Sequence, residues 1–258
     1  MKKAVFLYDY TGIMAKPWLE GGYECWLFDG QHELGITRSG PLVQVGMWFT
    51  PNNLDDQARI IAEMVGNGVE IVVGFPECTD MAVSGSVHFA KKLAIDPNIQ
   101  RNAASLAKLV EVVGDKFCCP WMAENPVSVL STLWRSPDFS FDPYEFGGYL
   151  PENDVHPIYP DFIAPRDAYP KNTCIWCGNG FKPPKRNAVY CPPGYSTQHL
   201  KLGGKSLKTK NIRSATPRGF AEAVYLSNTN VKYVDLKLEH EIRMKKSKAP
   251  KSTAKRLW

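Results

Sequence analysis

The feature that most limits the fold of this chain is a helix signal that runs directly into the signal of a buried strand. Residues 55–68, DDQARIIAEMVGNG, carry apolar side chains at helical spacing and close on glycines. Residues 69–75, VEIVVGF, form a continuous apolar run, as is typical of strands that a parallel sheet covers on both faces. Strand signals also occur at residues 3–10 and 23–30. This alternation predicts an α/β fold with a doubly wound, Rossmann-like sheet.

Length and composition agree with a soluble protein built around one α/β domain. The chain has 258 residues, of which 44% are hydrophobic and 22% are charged, so it is long enough to bury a full core. No apolar run reaches the roughly 18 residues of a membrane span, and Asp9 interrupts the N-terminal apolar run too early for a signal peptide. We therefore expect a cytoplasmic protein without a membrane partner, in which the seven cysteines are reduced.

Two predicted strands end in residues that are able to carry chemistry. Residues 71–80, IVVGFPECTD, place Cys78 at the exit of one strand, and residues 117–126, FCCPWMAENP, place Glu124 and Asn125 at the exit of the next. In an open α/β sheet the site lies beyond the carboxyl ends of the strands. We therefore expect Cys78 and Glu124 on the same rim. Taken alone, Cys78 is also explained as a small apolar residue that fills a strand end.

A cysteine and a glutamate that face one another suit the modification of a pyrimidine ring. A thiolate that adds to C6 of cytosine makes C5 nucleophilic enough to accept a methyl group, provided that a carboxylic acid holds or protonates N3. A base inside duplex DNA cannot be reached, so it must be flipped into the site. Cys78 and Glu124 are the residue types that this chemistry requires.

These motifs resemble those of the cytosine-C5 DNA methyltransferases, and most closely those of the short Dcm-like members encoded by phages. The family nucleophile follows a proline, often as Pro-Pro-Cys-Thr in the phage group, and residues 76–79 read Pro-Glu-Cys-Thr. The stretch AVSGSVHFAKK at 82–92 and the Glu-Asn-Pro turn at 124–126 also match the phage pattern. The resemblance extends from about Val5 to Ser227. It is carried by the two motifs in their order along the chain.

The resemblance implies an activity and the roles of three residues. It implies a DNA (cytosine-5-)-methyltransferase with a doubly wound methyltransferase sheet and a small loop-rich insertion. In this chemistry Cys78 would form the covalent adduct with the flipped cytosine, Glu124 would hold N3 of the base, and Asn125 would support the turn that carries Glu124.

The same resemblance implies S-adenosylmethionine as the methyl donor. Family members open with a Phe-x-Gly-x-Gly loop against which the cofactor lies, whereas residues 8–12 read Tyr-Asp-Tyr-Thr-Gly and keep only the second glycine. Tyr10 is therefore expected to prevent part of this close approach. Asp29 is placed as the acid that accepts the ribose hydroxyls, or else as a turn-forming residue before Gly30. The expected cofactor-binding residues are Tyr8, Asp9, Thr11, Gly12, Asp29 and Pro76.

A second cysteine motif has two interpretations. Cys174 and Cys177 form a Cys-x-x-Cys-Gly arrangement, and Cys191 and His199 would complete a Cys3His set for a structural zinc ion. The alternative is that these are unpaired thiols in a loop-rich subdomain. The phage relatives often carry threonine at the position of Cys177, which favours this alternative.

Basic residues cluster towards the C-terminus. Residues 201–218 carry six basic side chains and no acidic one, and residues 243–258 carry seven and no acidic one. Such clusters suit a polyphosphate partner, here expected to be double-stranded DNA, and a solvated basic tail is the alternative. The candidate DNA contacts are Arg166, Lys205, Lys208, Lys210, Arg213 and Arg218.

The chain is expected to divide into four parts. Residues 1–133 would form the methyltransferase core with the cofactor and catalytic motifs. Residues 134–200, which are rich in proline and aromatic side chains, would form a loop-rich subdomain for target recognition or zinc binding. Residues 201–243 would complete the core with a basic segment and a C-terminal helix, and residues 244–258 would form a mobile basic tail.

Two other functions stay open at this stage. The altered glycine loop also suits a pyrimidine-C5 modifying enzyme that uses a different one-carbon donor or a nucleotide substrate. The same substitution at Tyr10, together with the basic tail, also suits a noncatalytic DNA-binding protein that keeps the fold.

Overall fold

A computed structural model describes residues 1–203 and 206–230, and within these ranges seven strands form one sheet. The strand order is β3-β2-β1-β4-β5-β7-β6. This is the doubly wound order 3-2-1-4-5-6 with one further strand between β5 and β6. The α/β class is confirmed, and the mostly parallel sheet is Rossmann-like. The strands are β1 (Lys3–Leu7), β2 (Glu24–Ser39), β3 (Leu42–Gly46), β4 (Val69–Gly74), β5 (Trp121–Pro126), β6 (Phe139–Phe141) and β7 (Thr173–Gly178).

Strand direction places three carboxyl ends at one edge of the sheet. β1 pairs in parallel with β2 and β4, and β4 pairs in parallel with β5. β7 is antiparallel to both β5 and β6. The second half of β2 turns back along β3, because Ile36 lies opposite Val45 and Arg38 lies opposite Val43. The loops that follow β1, β4 and β5 therefore meet on one rim.

Helices cover both faces of the sheet. Ala58, Ile61 and Val65 of α2 are buried in one core, together with the inner side of α4, while Trp18 of α1 and Phe220 of α8 are buried in the other. The helices are α1 (Lys16–Glu20), α2 (Leu54–Val65), α3 (Phe89–Ile95), α4 (Ile99–Lys116), α5 (Leu130–Leu133), α6 (Thr197–Lys201), α7 (Leu207–Ser214) and α8 (Arg218–Asn228).

The continuous apolar strands follow from this two-sided cover. Val72 of β4 contributes to the core beneath α2 and α4, whereas Ile71 and Val73 contribute to the core beneath α1 and α8. Successive side chains of a strand point to opposite faces, so both sets must be apolar. The run at residues 69–75 thus reflects its central place in the sheet.

The expected separation of residues 134–200 from the core differs from the structure. This segment contributes β6 and β7 to the central sheet, so part of it belongs to the core. The remainder consists of loops and short 3-10 helices at Pro143–Tyr149 and Pro165–Asp167, followed by α6. The expected mobile tail at 244–258 lies outside the described residues. Within the described ranges, no helix is both long enough and apolar enough to cross a bilayer.

Candidate functional site

A cavity of about 500 Å³ lies at the rim where β1, β4 and β5 end. Its wall contains residues from both sets that the sequence singled out, the cofactor-binding candidates and the catalytic candidates. Those that line it are Tyr8, Asp9, Thr11, Asp29, Pro76, Cys78 and Glu124. The structure therefore brings together groups that are separated by more than a hundred residues in the chain.

A buried hydrogen bond joins the two catalytic loops. β4 and β5 are in register with Gly74 opposite Ala123, so Glu124 lies one residue beyond this pair. The side-chain amide of Asn125 donates to the carbonyl oxygen of Pro76 at 3.0 Å, and this contact is buried. Residues 124–126, expected as a turn, form the end of β5, and Asn125 ties this strand end to the loop that carries Cys78.

Glu124 faces the cavity with an unsatisfied oxygen. Its Oε1 atom is buried and has no hydrogen-bond partner within the described residues. Burial raises the pKa of Glu124, and the ammonium group of Lys171 opposes this increase. A raised pKa favours the carboxylic acid form, which donates a hydrogen bond where a carboxylate only accepts one. Glu124 is therefore suited to donate to an acceptor inside the cavity.

Cys78 is half-buried and lines the same cavity. Burial raises the pKa of the Cys78 thiol, and the negative charge of Glu124 raises it further. Lys171 acts in the opposite direction. The charge state of Cys78 thus depends on both of these neighbours.

Lys171 is a cavity residue that the sequence analysis did not identify. It lies two residues before Thr173, the residue of β7 that pairs with Pro126 at the end of β5. A single lysine ahead of a strand carries no motif. Only the pairing of β7 with β5 shows that Lys171 is next to Glu124.

The end of the cavity near β1 contains a second buried acid. Asp9 Oδ1 accepts a hydrogen bond from the backbone N–H of Gly12 at 2.8 Å and one from the Thr11 hydroxyl at 3.2 Å. Asp9 Oδ2 is buried and has no partner in the described parts of the chain. Burial raises the pKa of Asp9 to about 6, although these two hydrogen bonds lower it. Asp9 therefore offers a free acceptor to a donor in the cavity.

The turn after β1 takes a different shape from the one expected. Positive φ angles occur at Gly12 (66°) and at Tyr8 (60°), whereas Tyr10 does not adopt one. The strained residue is thus Tyr8, whose hydroxyl donates to the carbonyl oxygen of Leu106 at 2.9 Å. This bond ties the Tyr8 side chain to α4. Tyr10 lines the cavity without a positive φ, so the conformation that a glycine would permit at this position is not adopted.

Asp29 and Trp48 form the wall beyond β2 and β3. Asp29 Oδ1 accepts a hydrogen bond from the backbone N–H of Gln31 at 2.7 Å. Burial raises the pKa of Asp29, and this hydrogen bond opposes the increase. Trp48 lies against Gly30, where a Cβ atom would come within 2.2 Å of the indole ring, and 76% of Trp48 is exposed. Gly30 thus allows a flat aromatic surface beside the carboxylate.

A short basic helix, α7, forms part of the cavity wall. It begins after Ser206, whose hydroxyl accepts a hydrogen bond from the backbone N–H of Thr209. Lys210 forms an ion pair with Glu77 at 3.4 Å, and Asn211 donates to the side chain of Gln31 at 3.3 Å. α7 therefore contacts the middle of β2 and the loop after β4.

The six candidate DNA contacts fall in different environments. Lys210 and Arg213 line the cavity and are exposed, and Lys208 is exposed on the same helix. Arg166 is half-buried, and its Nε donates to the carbonyl oxygen of Gly147 at 3.2 Å. Lys205 lies outside the described residues.

The assignment of Arg218 to DNA contact needs correction. Its guanidinium group forms two hydrogen bonds with Asp154, at 2.7 and 2.6 Å, and a longer one with Asp167 at 3.5 Å. Only 13% of the Arg218 side chain is exposed. A guanidinium held by two buried carboxylates is a structural group, because contact with a phosphate would break these pairs.

The structure does not bring the residues of the proposed zinc set together. Cys174 and Cys177 lie on β7, and an odd separation along a strand directs two side chains to opposite faces. Cys174 accordingly packs in the core beneath α4, and Cys177 packs against the core beneath α1 and α8. Within the described residues, which include Cys191 and His199, no group of three or more His, Cys, Asp or Glu residues is arranged to hold a metal ion.

Comparisons of the sequence with models of known protein families and with curated proteins find no match. The functional reading of the cavity therefore depends on its own residues and geometry.

Proposed function

We propose that this protein is a cytosine-C5 DNA methyltransferase that acts on a flipped base through a covalent adduct with Cys78. The observation that carries this proposal is the placement of Cys78 and Glu124 on one cavity, at the ends of the neighbouring parallel strands β4 and β5. A thiol and a carboxylic acid across one space are the two groups that the chemistry needs. The hydrogen bond from Asn125 to Pro76 keeps their two loops together.

The sheet supports the same family. Its order is doubly wound, and the cavity lies beyond the carboxyl ends of the strands, where ligands of such sheets bind. We assign this sheet to the methyltransferase version of the Rossmann-like fold. The insertion of the antiparallel strand β7 beside β5 has a direct consequence, because it brings Lys171 to the catalytic end of the cavity.

The residues at the β1 end of the cavity fit S-adenosylmethionine. This cofactor has a positively charged methionine part and a ribose with two hydroxyl groups. Asp9 Oδ2 is a buried acceptor without a partner in the described chain, and it would receive the ammonium group. Asp29 lines the cavity and would accept the ribose hydroxyls, and the positive φ of Gly12 would permit a close approach of the backbone to the cofactor. When bound, S-adenosylmethionine supplies an electrophilic methyl group.

The side chains of the protein divide the reaction between them. The Cys78 thiolate forms a bond to C6 of the cytosine while Glu124 donates a proton to N3, so that the electron pair of the C5–C6 bond becomes available at C5. After C5 has been methylated, its proton passes to solvent water, the electrons of the C5–H bond re-form the C5–C6 double bond, and the Cys78 thiolate leaves C6. N3 then returns its proton to the Glu124 carboxylate, which restores the starting acid. The burial of Glu124 favours the protonated form that the first step requires.

The surface around the cavity suits double-stranded DNA. Lys208, Lys210 and Arg213 are exposed on α7, beside the opening that a flipped base would enter. Basic side chains at this point would neutralise the phosphates that flank the base. Because the cytosine chemistry takes place on DNA inside the cell, a cytoplasmic location follows from the same proposal.

Expression in a host that lacks cytosine methylation, followed by bisulfite sequencing of host DNA, tests the activity. We expect methylated cytosines in a defined sequence context with the wild-type protein, and a decrease of at least about 10³-fold with Cys78→Ala, because the adduct cannot form. Cys177→Ala is the matched control and should methylate normally. Unmodified DNA from the wild-type protein, or retained activity in Cys78→Ala, would contradict the proposal.

Duplex DNA that contains 5-fluorocytosine tests the covalent step directly. The fluorine at C5 cannot leave as a proton does, so the adduct with Cys78 should persist on a denaturing gel when S-adenosylmethionine is present. An adduct in Cys78→Ala, or its absence in the wild-type protein, would contradict the mechanism. Binding of S-adenosylmethionine in calorimetry separates this enzyme from one that uses a different one-carbon donor.

A further inference from the structure

Lys171 is fixed beside the catalytic pair by contacts from two directions. Its backbone N–H donates to Asp142 at 2.6 Å, and its backbone carbonyl accepts from the Thr173 hydroxyl at 2.8 Å. Its ammonium group donates to the carbonyl oxygen of Arg213 at 3.0 Å, in the last turn of α7. A helix end favours a cation at this position. The ammonium is therefore held at the cavity between the start of β7 and the end of α7.

Two acidic groups share this part of the cavity with Lys171. Cys78 and Glu124 are both half-buried and both line the cavity, and the negative charge of either one disfavours a negative charge on the other. Glu77 also disfavours the Cys78 thiolate, but it forms an ion pair with Lys210 of α7. Lys171 is the cation that favours the charged form of both Cys78 and Glu124.

We propose that Cys78 and Glu124 share a single negative charge for which Lys171 is the counter-ion. The thiol with a carboxylate and the thiolate with a carboxylic acid differ only by the movement of one proton from sulfur to oxygen. The total charge is the same in both forms, and the ammonium group balances it in both. The second form is the one that the proposed function requires, so this inference rests on that function.

Lys171 is thus a positioning residue that acts through Cys78 and Glu124. Without its charge, the cavity would disfavour any negative charge, and both groups would stay neutral at a pH where the pair is normally ionised once. α7 is coupled to these three residues, because the carbonyl oxygen of Arg213 accepts a hydrogen bond from the ammonium group of Lys171. Contact of DNA with α7 would then act on the charge state of the nucleophile.

The pH dependence of alkylation of Cys78 by iodoacetamide tests the inference. The rate follows the thiolate fraction, and mass spectrometry of the peptide that contains Cys78 separates this thiol from the other cysteines. The measurement uses the full chain without DNA or cofactor. Failure of the methyltransferase proposal would therefore leave this titration interpretable.

The two key variants should shift this titration in opposite directions. Lys171→Met should raise the pH of half-maximal alkylation by about one unit or more, which lowers the rate about tenfold at a fixed pH below it. Glu124→Gln should lower the same midpoint, because it removes the like charge. Lys171→Arg should restore the wild-type midpoint. Lys116→Met at the exposed end of α4 is the control and should leave it unchanged.

Two results would overturn the inference. One is a midpoint in Lys171→Met that equals that of the wild type, and the other is a shift of the same sign in Lys171→Met and Glu124→Gln. If circular dichroism shows that Lys171→Met is misfolded, Lys171→Gln replaces it as the neutral variant. The inference also requires that Glu124→Gln lowers the pH of half-maximal alkylation. If this pH does not decrease, the inference of a shared charge is overturned as well.

Discussion

Two groups of buried carboxylates in this protein differ in their partners. Asp154 and Asp167 lie around Arg218, which forms two short hydrogen bonds with the first and a longer one with the second. Asp9 and Glu124 each keep a buried oxygen atom without a partner in the described chain. The carboxylates of both groups are withdrawn from solvent at least in part. Only those of the first group contact a buried cation, the guanidinium of Arg218.

This difference separates a structural cluster from a ligand site. Burial alone would raise the pKa of Asp154, but the hydrogen bonds from Arg218 and from the backbone N–H of Arg166 hold it below its usual value. Burial raises the pKa of Asp167, which lies farther from the guanidinium of Arg218. Burial raises the pKa of Asp9 to about 6, because its contacts do not compensate for lost water. A buried carboxylate oxygen without a partner lowers stability unless a ligand completes it. The oxygens without a partner therefore mark the candidate site.

The largest expected effect is on the paired group. Arg218→Met leaves two buried carboxylates without their cation, so the free energy of unfolding should decrease by about 3–5 kcal/mol. Arg186→Met is the control, because 58% of the Arg186 side chain is exposed where it pairs with Glu145, and its loss should cost less than about 1 kcal/mol. Chemical denaturation of both variants measures the difference. A decrease below about 1 kcal/mol for Arg218→Met would remove the distinction between the two groups.

The contribution of Asp9, a member of the unpaired group, to the free energy of unfolding should change with pH in a specific direction. The pKa of Asp9 is about 6 in the folded protein against 3.8 for the ordinary group. The stabilisation of the folded state that is linked to Asp9 is therefore complete below pH 4, and it is lost as the pH rises through 6. Ionisation then costs up to about 3 kcal/mol. Asp9→Asn should therefore match the wild type near pH 4 and become more stable than it by pH 7.

Urea denaturation at several pH values checks this, with the exposed Asp161→Asn variant as the control. The difference between Asp9→Asn and the wild type isolates Asp9 from the other titrating groups. A constant difference across this pH range would show that Asp9 is as well compensated as Asp154.

The smallest expected effect concerns the cysteine motif of β7. Its cysteines are of a residue type that binds metal ions, but they do not point towards a common site. Burial raises the pKa of Cys177 to about 12, and Asp138 raises it as well, so the thiolate that a metal ion binds is disfavoured. Removal of metal ions with a chelator should leave the melting temperature unchanged. A decrease of several degrees would restore a metal site to this region.

The sequence predicts that Cys78 and Glu124 lie close to each other, and the reason is physical. Parallel strands end at a common rim, so two motifs that follow adjacent strands must meet wherever the strand order makes them neighbours. The apolar runs, the helix of residues 54–65 and the glycine stops were local signals that packing did not override. The sequence therefore predicts the class of the fold and the end of the cavity that contains Cys78 and Glu124.

Other parts of the site depended on contacts between distant segments. Lys171 became visible as a site residue only through the antiparallel pairing of β7 with β5. The role of Arg218 is set by carboxylates 51 and 64 residues away. Motif spacing suggested zinc, but the strand geometry of β7 directs its cysteines apart.

The sequence by itself determined which local elements form and which chemical groups stand at their ends, because hydrophobic periodicity and turn residues act over short distances. Tertiary structure decided which charges meet. The carboxylates around Arg218 and the lysine near Glu124 come from separate segments, and whether a buried charge finds a cation depends on the packing of those segments. The difference between a structural carboxylate and a functional one was therefore decided by the fold alone.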